Sequence, residues 1–449
     1  MLEGGIILKY KLSKYNYKLF DENGGMFIFN TLHKTTLRTK DQSIIQFVND
    51  FPANNNPESP KQKEIAERLI TKKILVPNDY NESKIADMRY YDIAYGSDML
   101  RLTIIPTYRC NFKCIYCYED IPKPDMTMET ANHVIRYVKK YIHKYSYLFV
   151  NWFGGEPMMS FDIVLYIMSE LKKICTENRV VLMAAMTSNG SLITPERLVK
   201  LLNVGVSLYQ ISVDGTEIIH NKQRPFKENP NNDSYQCIMA NLLSIRDTVK
   251  NKRFEIGIRI NITKEIDTHM VDILNYFNQE FGGNPRFSMI FEWVRDWGGE
   301  INKDLPTSAN ICIAWIERAS KIGLRCGDIL SNTCGVEFCE ACKNQSYMID
   351  SDGSLKKCTI AIYDDTNSDL NTVGYLDAKG NDVIDHNKLS KWICRDNPRK
   401  SCYDCVIYPM CMSVNCPWNT QIKGEKACHP IKNIIPSLLL NKAQFIDFE

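Results

Sequence analysis

The sequence predicts an α/β chain: a partial (β/α)6, TIM-like barrel with a smaller module before it and a cysteine-rich segment after it. Three observations carry this. Between about residues 93 and 310, apolar runs of five to nine residues alternate with stretches of helical periodicity, the pattern of βα units on a parallel sheet. Residues 1–92 contain no cysteine. Twelve of the 17 cysteines follow residue 300. The expected units are therefore 1–92, 93–310 and 311–449.

In the first unit, Tyr15–Phe20, the turn Asp21–Gly25 and Met26–Phe29 read as a β-hairpin. Helices are expected near Ser43–Asn49 and Lys61–Thr71, on either side of the Pro- and Asn-rich turn Phe51–Pro57. Lys73–Pro77 returns as a strand. In the second unit, the strands expected are Met99–Ile105, Leu148–Phe153, Val180–Met186, Val206–Val213, Phe254–Ile262 and Phe287–Phe291. Phe161, Val164, Leu165, Met168 and Leu171 repeat at helical spacing. Thr194 and Pro195 form a helix start, and Gly205 stops that helix. In the third unit, Tyr347–Lys356 reads as a hairpin around an Asp-Gly turn.

Composition narrows the function. At 44% hydrophobic and 24% charged residues the chain is globular. A net charge of +2 gives no broad reason to expect nucleic acid or an acidic membrane as partner. No apolar run approaches the roughly 18 residues of a membrane span, and the start lacks a secretory pattern. So many cysteines without an export signal point to metal ligation in a reducing cytoplasm rather than to disulfides.

Chemistry enters at Cys110, Cys114 and Cys117, separated by three and then two residues, directly after the first barrel strand. Three thiolates on a short loop can hold three corners of a four-iron cube and leave one iron open to a small molecule. A zinc site wants a fourth protein ligand, and no other Cys or His lies nearby. Further polar runs end the next strands: Gly154-Gly155-Glu156-Pro157, then Thr187-Ser188-Asn189-Gly190, then Ser212-Val213-Asp214-Gly215. The glycines let backbone approach a ligand closely, and Glu156 offers a carboxylate to an ammonium group. Taken singly, each run is equally an ordinary turn with Asx or Ser caps. Arg224 can pair with a carboxylate; His220 is as readily structural, and Arg259 and Asn261 are weaker pocket candidates.

This spacing, with the aromatic Tyr116 before the third cysteine, resembles the signature of the radical S-adenosylmethionine enzymes. The resemblance implies a 4Fe-4S cluster on Cys110, Cys114 and Cys117, whose fourth iron chelates S-adenosyl-L-methionine. One electron then cleaves that cofactor to a 5′-deoxyadenosyl radical. It also implies a cofactor pocket from Tyr116, Gly154, Gly155, Glu156, Ser188, Asn189, Ser212, Asp214 and Arg224.

The tail resembles the SPASM extension of peptide-modifying radical enzymes, which holds two auxiliary 4Fe-4S clusters. Carried over, Cys342, Cys358 and Cys416 would bind one, with Cys334 or Cys339 completing it. Cys402, Cys405, Cys411 and Cys428 would bind the other. The four residues between Cys411 and Cys416 depart from the usual three. Thr359 stands where the sulfatase-maturing branch has an acid. Cys175, Cys237, Cys312, Cys326 and Cys394 read as small hydrophobes or spare thiols. Residues 1–92 resemble a winged-helix-like leader-recognition module able to bind peptide by strand addition.

The resemblance therefore implies a cytoplasmic maturase of a ribosomally made precursor peptide, of the sactipeptide or ranthipeptide type, forming a cysteine sulfur-to-carbon thioether. Its electron donor would be a flavodoxin or ferredoxin. Carbon–carbon cross-linking, epimerisation or side-chain oxidation by the same machinery stays open, as does a zinc- or iron-binding peptide adaptor without catalysis.

Overall fold

The structure, a computed structural model, describes residues 9–21, 24–51, 57, 59–96, 98–117, 123–294, 310–327, 339–363, 368–395, 398–413, 416–424, 428 and 431–443. The N-terminal module comprises β1 (Tyr10–Leu12), β2 (Asn16–Phe20), β3 (Met26–Asn30), β4 (Thr35–Thr39), α1 (Gln42–Asp50), α2 (Pro60–Thr71) and β5 (Leu75–Pro77). The expected hairpin is β2–β3, and β4 adds to it as a third antiparallel strand. Asp21 Oδ1 accepts the Gly25 N–H at 2.8 Å, which closes the β2–β3 turn. Ser59 and Gln62 cap the start of α2 reciprocally, with Pro60 in its first turn. Met26, Ile28, Leu37, Ile44, Val48, Ile65 and Leu69 bury one face of each element in a shared core.

A helix absent from the expectations, α3 (Glu82–Tyr95), follows. It turns Ala86, Tyr90 and Ala94 inward and joins the module to the tail. Tyr90 donates to the Ile393 carbonyl at 2.6 Å, and Arg395 pairs with Asp87 at 2.7 Å. Phe27 and Phe29 of β3 pack with Ile407, Met410, Ile435 and Leu439.

The six expected barrel strands all form: β6 (Met99–Ile104), β7 (Tyr147–Trp152), β8 (Val181–Ser188), β9 (Val206–Ser212), β10 (Glu255–Ile262) and β11 (Phe287–Trp293). They lie side by side in chain order and all parallel. Helices α4 (Met128–Tyr141), α5 (Phe161–Asn178), α6 (Pro195–Asn203), α7 (Glu217–Gln223), α8 (Ser234–Thr248), α9 (Lys264–Thr268), α10 (Met270–Phe281) and α11 (Asn310–Lys321) fill the connections. Alternation along the strands divides the sheet into two faces. Leu100, Leu102, Ile104, Leu148, Val150 and Trp152 are fully buried against helical residues such as Val134, Val138, Ile167 and Leu171. The alternate residues Arg101, Thr103, Asn151 and Arg259 are only half-buried and line the opposite face. A partial barrel of this kind has a polar, accessible interior.

The sheet runs on past residue 310. Its order is β11-β10-β9-β8-β7-β6-β12-β13-β14-β15, with β12 (Ser346–Ile349), β13 (Ser354–Lys356), β14 (Thr372–Leu376) and β15 (Asp382–Ile384). The expected Asp-Gly hairpin is β12–β13, and β12 pairs parallel to β6 with Ser346 opposite Arg101. The tail is therefore built onto the barrel's own edge. Among the described residues no helix is long and apolar enough to cross a membrane.

Candidate active site

The loop after β6 carries Cys110, Cys114 and Cys117, and a segment more than a hundred residues away holds it. The Lys113 and Ile115 N–H groups donate to the carbonyls of Pro225 and Gln223 at 2.9 and 3.0 Å, and Lys227 N–H donates to Asn111 O at 2.8 Å. Phe112 and Phe226 pair in the same ladder, with ring centroids 4.7 Å apart. Thr107 and Arg109 both bond Asp125 before α4. Cys110 and Cys114 are half-buried, and Cys117 is exposed. Burial pushes the Cys110 thiol up to about 12, with the charges of Glu156 and Cys114 adding and Phe112 N–H opposing.

The glycine pair reinforces the loop from below. Gly155 and Glu156 donate their N–H groups to the Thr107 and Arg109 carbonyls at 3.2 and 2.9 Å. A Cβ on Gly155 would stand 2.4 Å from Tyr108 O and 2.5 Å from Arg109 O, and Gly154 has a φ of +115°. Both positions exclude a side chain.

Glu156 departs from the expectation that its carboxylate faces an ammonium group; the structure turns it inward. It is fully buried. Its oxygens accept from Ser188 Oγ at 2.9 and 3.0 Å, Asn189 N–H at 2.7 Å and Met158 N–H at 3.0 Å. Those three donors, with the single Ser188 proton shared between the two oxygens, take up most of the acceptor capacity of a carboxylate. Burial raises its pKa, and the same donors oppose the rise. Glu156 therefore ties the ends of β7 and β8 together. The Ser188 hydroxyl is committed to it, while the Asn189 amide donates to Asn111 Oδ1 at 2.8 Å and to Cys110 Sγ at 3.8 Å.

A second tie spans β9, β10 and the cysteine loop. The fully buried Asp214 accepts the Tyr116 hydroxyl, Asn261 N–H at 2.8 Å, Asn261 Nδ2 at 3.1 Å and Arg224 at 3.5 Å. Arg224 also donates to the Tyr116 oxygen at 2.6 Å. Burial opposes the Arg224 charge, yet Cys114, Tyr116 and Asp214 together hold it firmly protonated. His220 accepts the Asp214 N–H on Nδ1 at 3.0 Å, which holds the strand end after β9. Burial and the Arg224 charge push its pKa well below the usual range. Ser212 ends β9 opposite Arg259, whose Nε donates to Asn261 at 2.8 Å. Asn111, Asp125, Asn261 and the 223–227 segment were missed or undervalued, because each matters only through a long-range contact.

The tail gathers a separate group of thiols. Cys342 is fully buried; burial lifts its pKa well above the usual value, and Cys339 and Cys416 lift it further. Burial pushes Cys358 up to about 11, with Cys416 adding. Cys339, Cys342, Cys358 and Cys416 thus form one electrostatically coupled set, and Cys334 lies outside the described residues. Cys342 precedes β12 and Cys358 follows β13, so this set sits at the opposite end of the sheet from Cys110. The separation is about the length of β6, roughly 20 Å at about 3.3 Å per residue. Cys402 lies in the helical turn Lys400–Tyr403, Cys411 ends the turn Tyr408–Cys411, and Cys405 sits between them; Cys402 and Cys405 pack against Tyr15 and Tyr408, and Cys428 is exposed.

Among the described residues no three His, Cys, Asp or Glu side chains converge on a single-ion site; the residues that would hold the implied cluster are the Cys110, Cys114 and Cys117 thiols on one loop. Arg224 Nε is buried with no partner among the described residues, which leaves a donor for an anionic cofactor group.

Several known proteins share stretches of this chain. Residues 104–276 match the radical SAM superfamily. The chain is 23% identical over 320 residues to the radical SAM cyclopropyl synthase TigE of Paramaledivibacter caminithermalis, covering 59% of this chain and 66% of that protein. It is 30% identical over 132 residues to the uncharacterized protein MJ0907 of Methanocaldococcus jannaschii, covering 29% of this chain and 43% of that one. The matched stretches thus span less than two thirds of either relative. The structure of native anSMEcpe with bound AdoMet and Cp18Cys peptide superimposes with a TM-score of 0.59 at 16% identity, over 78% of this chain and 99% of that one, which establishes a shared fold. The chain therefore carries a radical SAM domain over residues 104–276, which implies S-adenosyl-L-methionine and a four-iron cluster as its working groups.

Proposed function

We propose that this chain matures a ribosomally made precursor peptide by joining a cysteine sulfur to a carbon, using Cys110, Cys114 and Cys117 for the radical cluster. The observation that carries the reading is the second thiol set, Cys339, Cys342, Cys358 and Cys416, built onto the barrel's edge by β12 and β13. Bound at the cysteine loop, cluster and cofactor would supply the 5′-deoxyadenosyl radical that removes a substrate hydrogen. The chain's own residues fix the loop through the 223–227 ladder, offer Arg224 to an anionic group, and present a polar barrel interior. Thioether formation releases two hydrogens' worth of electrons, and the second thiol set would hold a cluster to receive the surplus one; Cys402, Cys405, Cys411 and Cys428 would hold another. Edges β2 and β4 of the N-terminal sheet offer main-chain groups for leader binding. The peptide in the similar anSMEcpe structure supports a peptide substrate. Thr359 in place of an acid supports cross-linking over simple oxidation.

The relative named a cyclopropyl synthase favours a second reading, carbon–carbon bond formation. One experiment separates them: anaerobic incubation with a cysteine-containing precursor, S-adenosyl-L-methionine and a flavodoxin, then mass spectrometry before and after thiol alkylation. A two-hydrogen loss with one fewer alkylatable thiol supports the thioether. The same loss with every thiol alkylatable supports the carbon–carbon bond. Cofactor cleavage with an unchanged peptide rejects both.

A further inference from the structure

Strand β10 alternates between two faces. Ile258 and Ile260 are fully buried in the core under the helices, so Arg259 between them projects into the barrel interior, where it is half-buried. It stands between Ser212 of β9 and Ile290 of β11. Its Nε donates to Asn261 Oδ1 at 2.8 Å. That amide is fixed in one orientation, because its Nδ2 donates to Asp214 at 3.1 Å and to the Tyr116 oxygen at 3.2 Å, and a carboxylate can only accept. Arg259 is thereby anchored on one edge of its guanidinium. Among the described residues no hydrogen bond or ion pair reaches its Nη1 or Nη2. Other guanidiniums nearby are compensated: Arg224 pairs with Asp214 at 3.5 Å, and Arg101, on the same face, pairs with Glu340 at 3.5 Å. A guanidinium drawn partly out of water without an anion beside it is costly. A carboxylate on its outer fork removes that cost with two parallel hydrogen bonds.

We propose that the outer edge of Arg259 binds a carboxylate of the substrate peptide and so sets which residue of that peptide lies before the cysteine loop. This rests on the reading above that the substrate is a peptide. The carboxylate is an acidic side chain or the peptide's C-terminus, and the planar fork matches both alike. Tyr116 lies between Cys114 and Cys117 and shares Asn261 with Arg259 as a bonding partner. A peptide held at the fork is therefore held beside the loop that would carry the radical cluster. No bond forms or breaks at Arg259; its role is to determine specificity.

The test uses the anaerobically reconstituted full chain with S-adenosyl-L-methionine and a randomised library of cysteine-containing peptides, some ending in a free carboxylate and the rest in an amide. Retained peptides are read by mass spectrometry. The wild type should enrich Asp and Glu, or free acids over amides, at least about tenfold, as a hydrogen bond to a charged group allows, and Arg259→Gln should cut this to within about twofold. The first pattern marks a side chain and the second a terminus. Arg259→Glu should invert the preference toward Lys and Arg. Arg259→Lys keeps the charge without the fork and should weaken the preference at least about threefold; it serves if the neutral variant fails to load iron. A preference that survives Arg259→Gln, or that Arg259→Lys leaves whole, overturns the assignment. So does retention of peptides with no acidic preference. Weaker cofactor binding in Arg259→Gln with peptide selection unmoved overturns it too, and gives Arg259 to the cofactor. A wild type that retains no peptide defeats the peptide-substrate reading itself.

Discussion

Asp214 to Asn tests whether the polar strand ends are a built frame or a loose ring of cofactor ligands. In the folded chain the carboxylate faces donors alone: a phenol, a main-chain N–H, an amide and a guanidinium. The asparagine amide keeps the shape and removes the charge. Its oxygen can still serve Asn261, but its NH2 then points at Arg224, which is 6% exposed. Removing one partner of a buried ion pair costs about 3–5 kcal/mol, because the survivor is left uncompensated. At about 2–4 °C per kcal/mol for a domain of this size, thermal unfolding of the cluster-free protein should fall on the order of 10 °C. The double variant Asp214→Asn with Arg224→Met removes both charges and should regain about half of that or more. The assay is calorimetry on cluster-free protein beside titration of the reconstituted protein with S-adenosyl-L-methionine. A cluster-free melting point within about 2 °C of wild type, together with at least tenfold weaker cofactor binding, would refute the reasoning and make Asp214 a ligand.

Two further outcomes are expected. His220 is held neutral, so its folded pKa lies below the unfolded value of about 6.5. The unfolded chain therefore binds the proton first, and this residue's contribution, complete above about 6.5, is lost as pH falls toward the folded value. His220→Asn, which keeps an acceptor for the Asp214 N–H, should lose about 1 kcal/mol less than wild type between pH 7 and 5.5, read by urea unfolding. Gly155→Ala drives a methyl into the Tyr108 and Arg109 carbonyls. It should release about four irons, one cluster's worth, and abolish cofactor cleavage, with the circular dichroism spectrum unchanged.

Much of this was legible because it is local. Six barrel strands announced themselves as apolar runs, since parallel strands buried under helices need hydrophobic faces. The helix start at Thr194-Pro195 obeys capping chemistry contained in a few residues. What was missed shares one property. Helix α3 has little apolar periodicity; alanines and tyrosines face the tail, and only the tail's carbonyls and Arg395 make that face an inside. Glu156 read as a free carboxylate because nothing in a strand-end motif tells whether its partners come from the next strand or from a ligand.

The chain's own order of residues determined the βα alternation, the three-thiol loop after the first strand, and the reservoir of cysteines downstream. Tertiary packing alone decided that Glu156 ties the ends of β7 and β8, that 223–227 clamps the loop, and that the tail's hairpin extends the barrel sheet. The reason is physical: a strand or cap is specified by neighbours along the chain, whereas a buried charge or thiol is specified by whatever the fold brings against it.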